Sequence, residues 1–201
     1  MQRTTDFILV QFSLDDSSAA DLSRAAAAFC AESALPMQVH RLAWSAEVQT
    51  AYLYFRLPDR TICDDEILQP LRAAWDRLCP AARDTRVSRL EKVFDAKGHS
   101  SAETPAFHYV VEMDPDSGWM TELERWYDTE HMPGLAAVPG CTRTMRLYNH
   151  DHGPLSLAFY ELVTTQTLGS APWLAVRLTS WSDVVRPHFT NTKRTMFNII
   201  A

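Results

Sequence analysis

Met37-Gln38-Val39-His40-Arg41-Leu42-Ala43-Trp44 and Thr142-Arg143-Thr144-Met145-Arg146-Leu147-Tyr148 are two strand-like runs that share an Arg-Leu pair, 105 residues apart. Other landmarks recur with them. Phe7 and Phe107 stand 100 apart, and Tyr54 and Tyr160 stand 106 apart, as do Trp75 and Trp181. A repeat of about a hundred residues is too long for a solenoid unit and suits a duplicated domain. The offset grows by about five between the first and second strands, so the second copy carries an insertion there.

The elements around these runs follow one order twice. In the first copy, residues 7–14 are extended. Ser17 and Ser18, with Asp21 three residues after Ser18, then form a capping signal. They precede an Ala-rich helix whose Leu22, Ala26, Phe29 and Cys30 repeat at helical spacing. Strands are predicted at 37–44 and 50–57, a helix at 65–78 with Leu68, Leu71, Trp75 and Leu78 on one stripe, and a strand at 85–94. The second copy reads as a strand at 107–113, a helix at 119–131, strands at 142–148 and 157–163, a helix at 172–181 capped by Ser170, and a strand at 193–200. Two β-α-β-β-α-β units, 1–97 and 105–201, are joined by the linker 96–105.

This is an α+β class: a tandem of ferredoxin-like units, each an antiparallel sheet with both helices on one face. Val10, Phe12 and Phe159 put apolar side chains on both faces of such sheets. Packing the two bare faces together within one chain makes an intrachain α/β barrel with helices outside. A monomeric pseudo-dimer is therefore expected, and pairing with a second chain as a homodimer is the alternative.

Composition removes several function classes. The six glycines, Gly98, Gly118, Gly134, Gly140, Gly153 and Gly169, make no G-x-G, no P-loop and no G-x-S-x-G elbow. Nineteen Lys and Arg against 25 Asp and Glu leave a formal charge of −6, which offers no footprint for nucleic acid or anionic lipid. The apolar run 7–10 is too short for a membrane span or signal peptide. Cys30, Cys63, Cys79 and Cys141 form no C-x-x-C pair, so reduced thiols and a cytoplasmic setting are expected.

The insertion holds Trp126-Tyr127-Asp128-Thr129-Glu130-His131-Met132-Pro133-Gly134, followed by Pro139-Gly140 and a strand with Arg143, Arg146 and Tyr148. An aromatic pair, Glu-His-x-Pro, Pro-Gly and an Arg-Tyr strand together resemble the dimeric α/β-barrel superfamily, nearest its EthD-like branch. The resemblance covers residues 107–200; the first copy has no counterpart of Glu-His-x-Pro and reads as a supporting lobe. It implies cofactor-independent chemistry on apolar aromatic or polyketide-like compounds: cyclisation, isomerisation, dehydration, decarboxylation or monooxygenation. It implies His131 as acid or base beside Tyr127 and Glu130. Trp126, His108, Arg146, Tyr148 and Tyr160 would then bind substrate. Some tandem barrels of the superfamily bind haem through a His, but the Gly-x-x-Asp-Gly signature of one such group is absent.

Read from the residues alone, Tyr127 and His131 share a helix face, and Trp126 and Glu130 share the adjacent one. Pro133 is expected to end the helix just past His131. The helix dipole would raise the pKa of the imidazole and burial would lower it. The bland alternative is a His bonding a helix-end carbonyl in a non-catalytic binding or stress-associated protein. Alternation groups His108, Val110 and Glu112 on one strand face and Thr144, Arg146 and Tyr148 on another, with Glu161 beside Phe159. These residues form either a structural Arg–Glu pair or a polar cavity wall. His150-Asp151-His152 lies in a turn composition and reads as an exposed turn rather than a metal site. His40 and His188 show no partner in sequence.

Overall fold

The computed structural model describes residues 1–15 and 19–200, so the Ser17 and Ser18 capping signal lies outside the described residues. The β-α-β-β-α-β order occurs twice. The first run is β1 (Arg3–Ser13), α1 (Ala19–Glu32), β2 (Gln38–Ser45), β3 (Thr50–Cys63), α2 (Leu68–Leu78) and β4 (Arg83–Lys97). The second opens with β5 (Phe107–Pro115) and α3 (Met120–Trp126), then a π-helical turn (Tyr127–His131) and α4 (Met132–Ala136). It closes with β6 (Cys141–Asn149), β7 (Ser156–Leu162), α5 (Ala171–Arg177), α6 (Ser180–Val185) and β8 (Phe189–Ile199). The mixed α+β architecture is the one expected, with eight strands hydrogen-bonded in the order β1-β3-β2-β8-β5-β7-β6-β4.

The chain forms two compact units that interleave in sequence. Residues 1–92 form the first, with Asn149–His152 and the last residues from Phe197; Val93–Tyr148 and Gly153–Met196 form the second. In the first, β1 lies antiparallel between β3 and β4, with Leu9 facing Tyr54 on one side and Ser88 on the other. The alternation of β1 sends Ile8, Val10 and Phe12 into a core with Leu22, Ala26 and Phe29 of α1 and Trp75 of α2. Trp75 meets Phe12 at 5.3 Å and Phe29 at 5.5 Å between ring centroids. Each fully buried aliphatic or Phe side chain here contributes about 1.5–3 kcal/mol. Val10 and Phe12 thus point at the helices, and the opposite face is carried by Phe7 and Leu9, both buried. His40 has a neighbour that the sequence did not reveal, the Phe7 ring at 5.1 Å.

Two helical expectations change. The helix predicted at 172–181 breaks in two because the Thr179 hydroxyl accepts the Ser182 N–H and caps a new helix, while Ser170 caps α5 by accepting from the Trp173 N–H. Pro133 does not end the first helix of the second copy. It falls in the first turn of α4, where a missing N–H is tolerated. Gly140, at φ +88, makes the Pro-Gly turn into β6, and a Cβ there would lie 2.2 Å from the Thr167 hydroxyl.

The 149–152 turn, expected to be exposed, is exposed at His152 but buried or half-buried at Asn149, His150 and Asp151. Asp151 and Arg89 form an ion pair at 2.5 Å with side chains 8% and 3% exposed. Asp151 also accepts the Arg89 backbone N–H at 2.7 Å, and the guanidinium donates to the carbonyls of Met1 and Cys63 at 2.8 Å each. His150 pairs with Glu91 at 3.1 Å. Among the described residues no His, Cys, Asp and Glu group is arranged to hold a metal ion, and no helix is long and apolar enough to cross a membrane.

A buried pair that loses one partner leaves the other charge uncompensated, at a cost of about 3–5 kcal/mol. Asp151→Ala is expected to lower unfolding stability by that amount in urea denaturation at pH 7. A loss under 1 kcal/mol would show that the pair carries little of the stability.

Candidate active site

The π-helical turn shapes the site. In an α-helix, residues five apart diverge around the axis, but the wider π turn stacks them. Trp126 and His131 therefore lie ring on ring at 4.1 Å and 23°, rather than Trp126 sharing a face with Glu130. Tyr127 meets the imidazole edge-on at 5.6 Å and Tyr160 does so at 6.5 Å. Such five-residue turns inside helices recur at functional positions.

The strands supply the floor. Tyr109 and Val111 of β5 and Tyr160 of β7 project to the helix side, because Tyr109 faces Tyr160 directly in the antiparallel ladder. Trp173 of α5, Leu135 of α4 and Phe189 of β8 complete an aromatic and apolar wall. Arg177, Arg186 and Arg194 stand in the same lining. The cavity opens to solvent; about 30 Å³ of it is reached by water-sized spheres, and about 370 Å³ of space between the lining residues includes the open mouth.

Burial dominates the electrostatics. The His131 imidazole is depressed to about 3, first by desolvation and then by the charges of Arg186 and Arg177. The dipole-against-burial balance expected from sequence is therefore settled by burial, and the ring is neutral at physiological pH. Its Nδ1 has no hydrogen-bond partner, so it does not bond a helix-end carbonyl through that atom. Burial also pushes the Tyr127 and Tyr160 hydroxyls up, which keeps both protonated. The Tyr160 hydroxyl donates only to the Met132 sulfur, at 3.5 Å. A substrate oxygen would be a stronger acceptor.

Four of the eight residues expected at a site, His131, Tyr127, Trp126 and Tyr160, line this cavity. The others lie elsewhere. The Glu130 carboxylate accepts the Thr179 hydroxyl at 2.7 Å and holds the junction of α5 and α6. Arg146 is fully buried and donates to Asp128 and to the Tyr148 hydroxyl, both at 2.8 Å. Its guanidinium lies 5.3 Å from the Tyr127 ring centroid, which makes it a positioning residue for that wall. Tyr148 donates to Glu124. His108 sits on the opposite sheet face, across from Glu161 and against Phe159 at 4.6 Å.

Sequence reasoning missed Tyr109, Trp173, Phe189 and the three arginines. For Arg177 and Arg186 a signal existed: Ser180-Trp181-Ser182-Asp183 is a capping pattern inside the expected helix, and the break it marks separates the two. His188, outside the cavity, stacks on Trp119 at 3.4 Å and bonds Asp116 at 3.0 Å.

No family model and no curated protein matches the sequence. Solved structures do. An anthrone oxidase-like protein matches with a TM-score of 0.63 at 11% identity over 100% of this chain and 95% of that one. A provisionally named monooxygenase from Lactobacillus acidophilus NCFM matches at 0.61 and 11% over 99% and 95%. A mutant chlorite dismutase from Candidatus Nitrospira defluvii matches at 0.62 and 9% over 97% and 92%. At such identities the likeness is one of fold.

A neutral buried His also has a signature in stability. Its folded pKa of about 3 lies below the value of about 6.5 in the unfolded chain. The unfolded state therefore takes up a proton that the folded state refuses, and stability falls as pH drops from about 6.5 toward 3. His131→Phe should remove about 2–3 kcal/mol of the stability lost between pH 7 and pH 4.5 in urea titrations. Parallel wild-type and variant profiles would contradict a buried neutral imidazole.

Proposed function

We propose that the chain is a small-molecule enzyme working without a tightly bound organic cofactor, in which His131 takes a proton from an aromatic or polyketide-like substrate. The observation that carries this reading is a desolvated neutral imidazole with an unpartnered Nδ1, held at a π-helical turn inside an aromatic cavity. A neutral imidazole keeps a lone pair, and the dry surroundings leave it free of competing water. Protonating it alone is costly there. Protonation becomes favourable when negative charge develops beside it, because the resulting ion pair forms in a low dielectric. Isomerisation, dehydration, cyclisation and cofactor-independent oxygenation all begin with removal of a proton from an activated carbon or a phenol. The protonated Tyr127 and Tyr160 hydroxyls are suited to hold the oxygen on which that charge accumulates. Arg177 and Arg186 are half-buried and Arg194 is exposed, so these side chains stand where the lining meets solvent.

A haem does not suit this site. It would have to displace Trp126, Trp173 and Tyr160, each at most 1% exposed, from the core of the unit. No step is routed through one.

Exchange of deuterium into the acidic CH₂ of an anthrone, followed by NMR, tests the reading. Wild-type protein should accelerate exchange, and His131→Phe should lose at least about a hundredfold of that acceleration. Equal rates for the two would overturn the assignment of His131. Binding of the anthrone without exchange would assign the pocket to a non-catalytic carrier.

A further inference from the structure

Three arginines, Arg177, Arg186 and Arg194, meet in the lining of one cavity. Arg60, Arg77, Arg83, Arg89, Arg125, Arg143 and Arg146 each pair with a carboxylate within 3 Å. A chain with a formal charge of −6 has carboxylates to spare. Among the described residues Arg177, Arg186 and Arg194 form no ion pair with a carboxylate, as is also true of Arg3, Arg56 and Arg86. Of these six, only Arg177, Arg186 and Arg194 gather around one cavity, and no Asp or Glu lines it. They come from three places: the last turn of α5, the residue after α6 and the middle of β8. The Thr179 break and its bond to Glu130 hold the first two in place. Their proximity has a cost. Arg186 is held below its ordinary value by burial and by the charges of Arg177 and Arg194, which Asp183 and Tyr127 offset only in part. Clustered guanidiniums without counter-ions destabilise a fold unless something else supplies the negative charge.

We infer that the cavity takes an aromatic carboxylate, with its ring against Trp126 and Trp173 and its charge between Arg177, Arg186 and Arg194. This rests on reading the cavity as the ligand site. The planar fork of Arg matches a carboxylate in bidentate fashion, and rings packed on indoles fill the apolar part. Bound charge would also offset the arginines that depress His131, so the substrate would make its own base stronger.

Quenching of tryptophan fluorescence by 2-naphthoate and by its uncharged amide, 2-naphthamide, tests this on the full chain. Naphthoate is expected to bind at least tenfold tighter than naphthamide, and more weakly as salt rises. Arg186→Gln and Arg177→Gln should each weaken naphthoate at least fivefold while changing naphthamide less than twofold. Equal affinity for the two probes would overturn the carboxylate and leave the cavity reading standing. No binding of either up to the solubility limit would overturn both.

Discussion

Three strands of the second unit, β5, β6 and β7, are buried on both faces, and the site follows from that constraint. Every residue of β7 from Ser156 to Leu162 is buried, as are eight of the nine residues of β6 and six of the nine of β5. A strand alternates its side chains, so one face carries Tyr109, Val111, Ala158 and Tyr160 toward the helices. The other sends His108, Glu112, Phe159 and Glu161 to an equally dry face. Any polar group placed on either face must find a partner or lose its charge. Arg146 follows the first course with Asp128 and Tyr148, and His131 follows the second.

The two β-α-β-β-α-β runs share their element order and differ in what they bury. Around Trp75 the first unit packs Phe12, Phe29 and Phe55, rings without an ionisable group. Around Trp126 the second packs Tyr127, His131 and Phe189. The π-helical turn Tyr127–His131 makes this difference by bringing indole and imidazole into contact. One fold can host many unrelated functions. Architecture therefore says little about chemistry, and the argument for function has to come from the site.

Much of the fold was legible because the signals are local. Alternation and helical spacing along 7–14, 65–78 or 107–113 depend on residues a few positions apart, and they led to strands and helices where these occur. A third of the candidate site was legible, four of its twelve lining residues, and three of these for the same reason: Trp126, Tyr127 and His131 lie within six residues of one another. The errors were local too. A π turn changes which residues share a face, and no propensity announces one, so Trp126 was grouped with Glu130. Alternation along β1 names two faces without saying which one the helices cover, and only the packing puts Val10 and Phe12 on the helix side.

By itself, the sequence determined the element order, the α+β class and the neighbourhood of Glu130-His131-Met132-Pro133. These rest on periodicity and on the chemistry of adjacent residues. Only the tertiary structure decided that Arg177, Arg186 and Arg194 meet at one cavity, that Asp151 is the counter-ion of Arg89, and that His108 and His131 stand on opposite faces. Each depends on strand register and helix breaks that bring distant residues together. The protonation of His131 was decided there as well, since the dielectric around an imidazole is set by what packs on it and not by its neighbours in the chain.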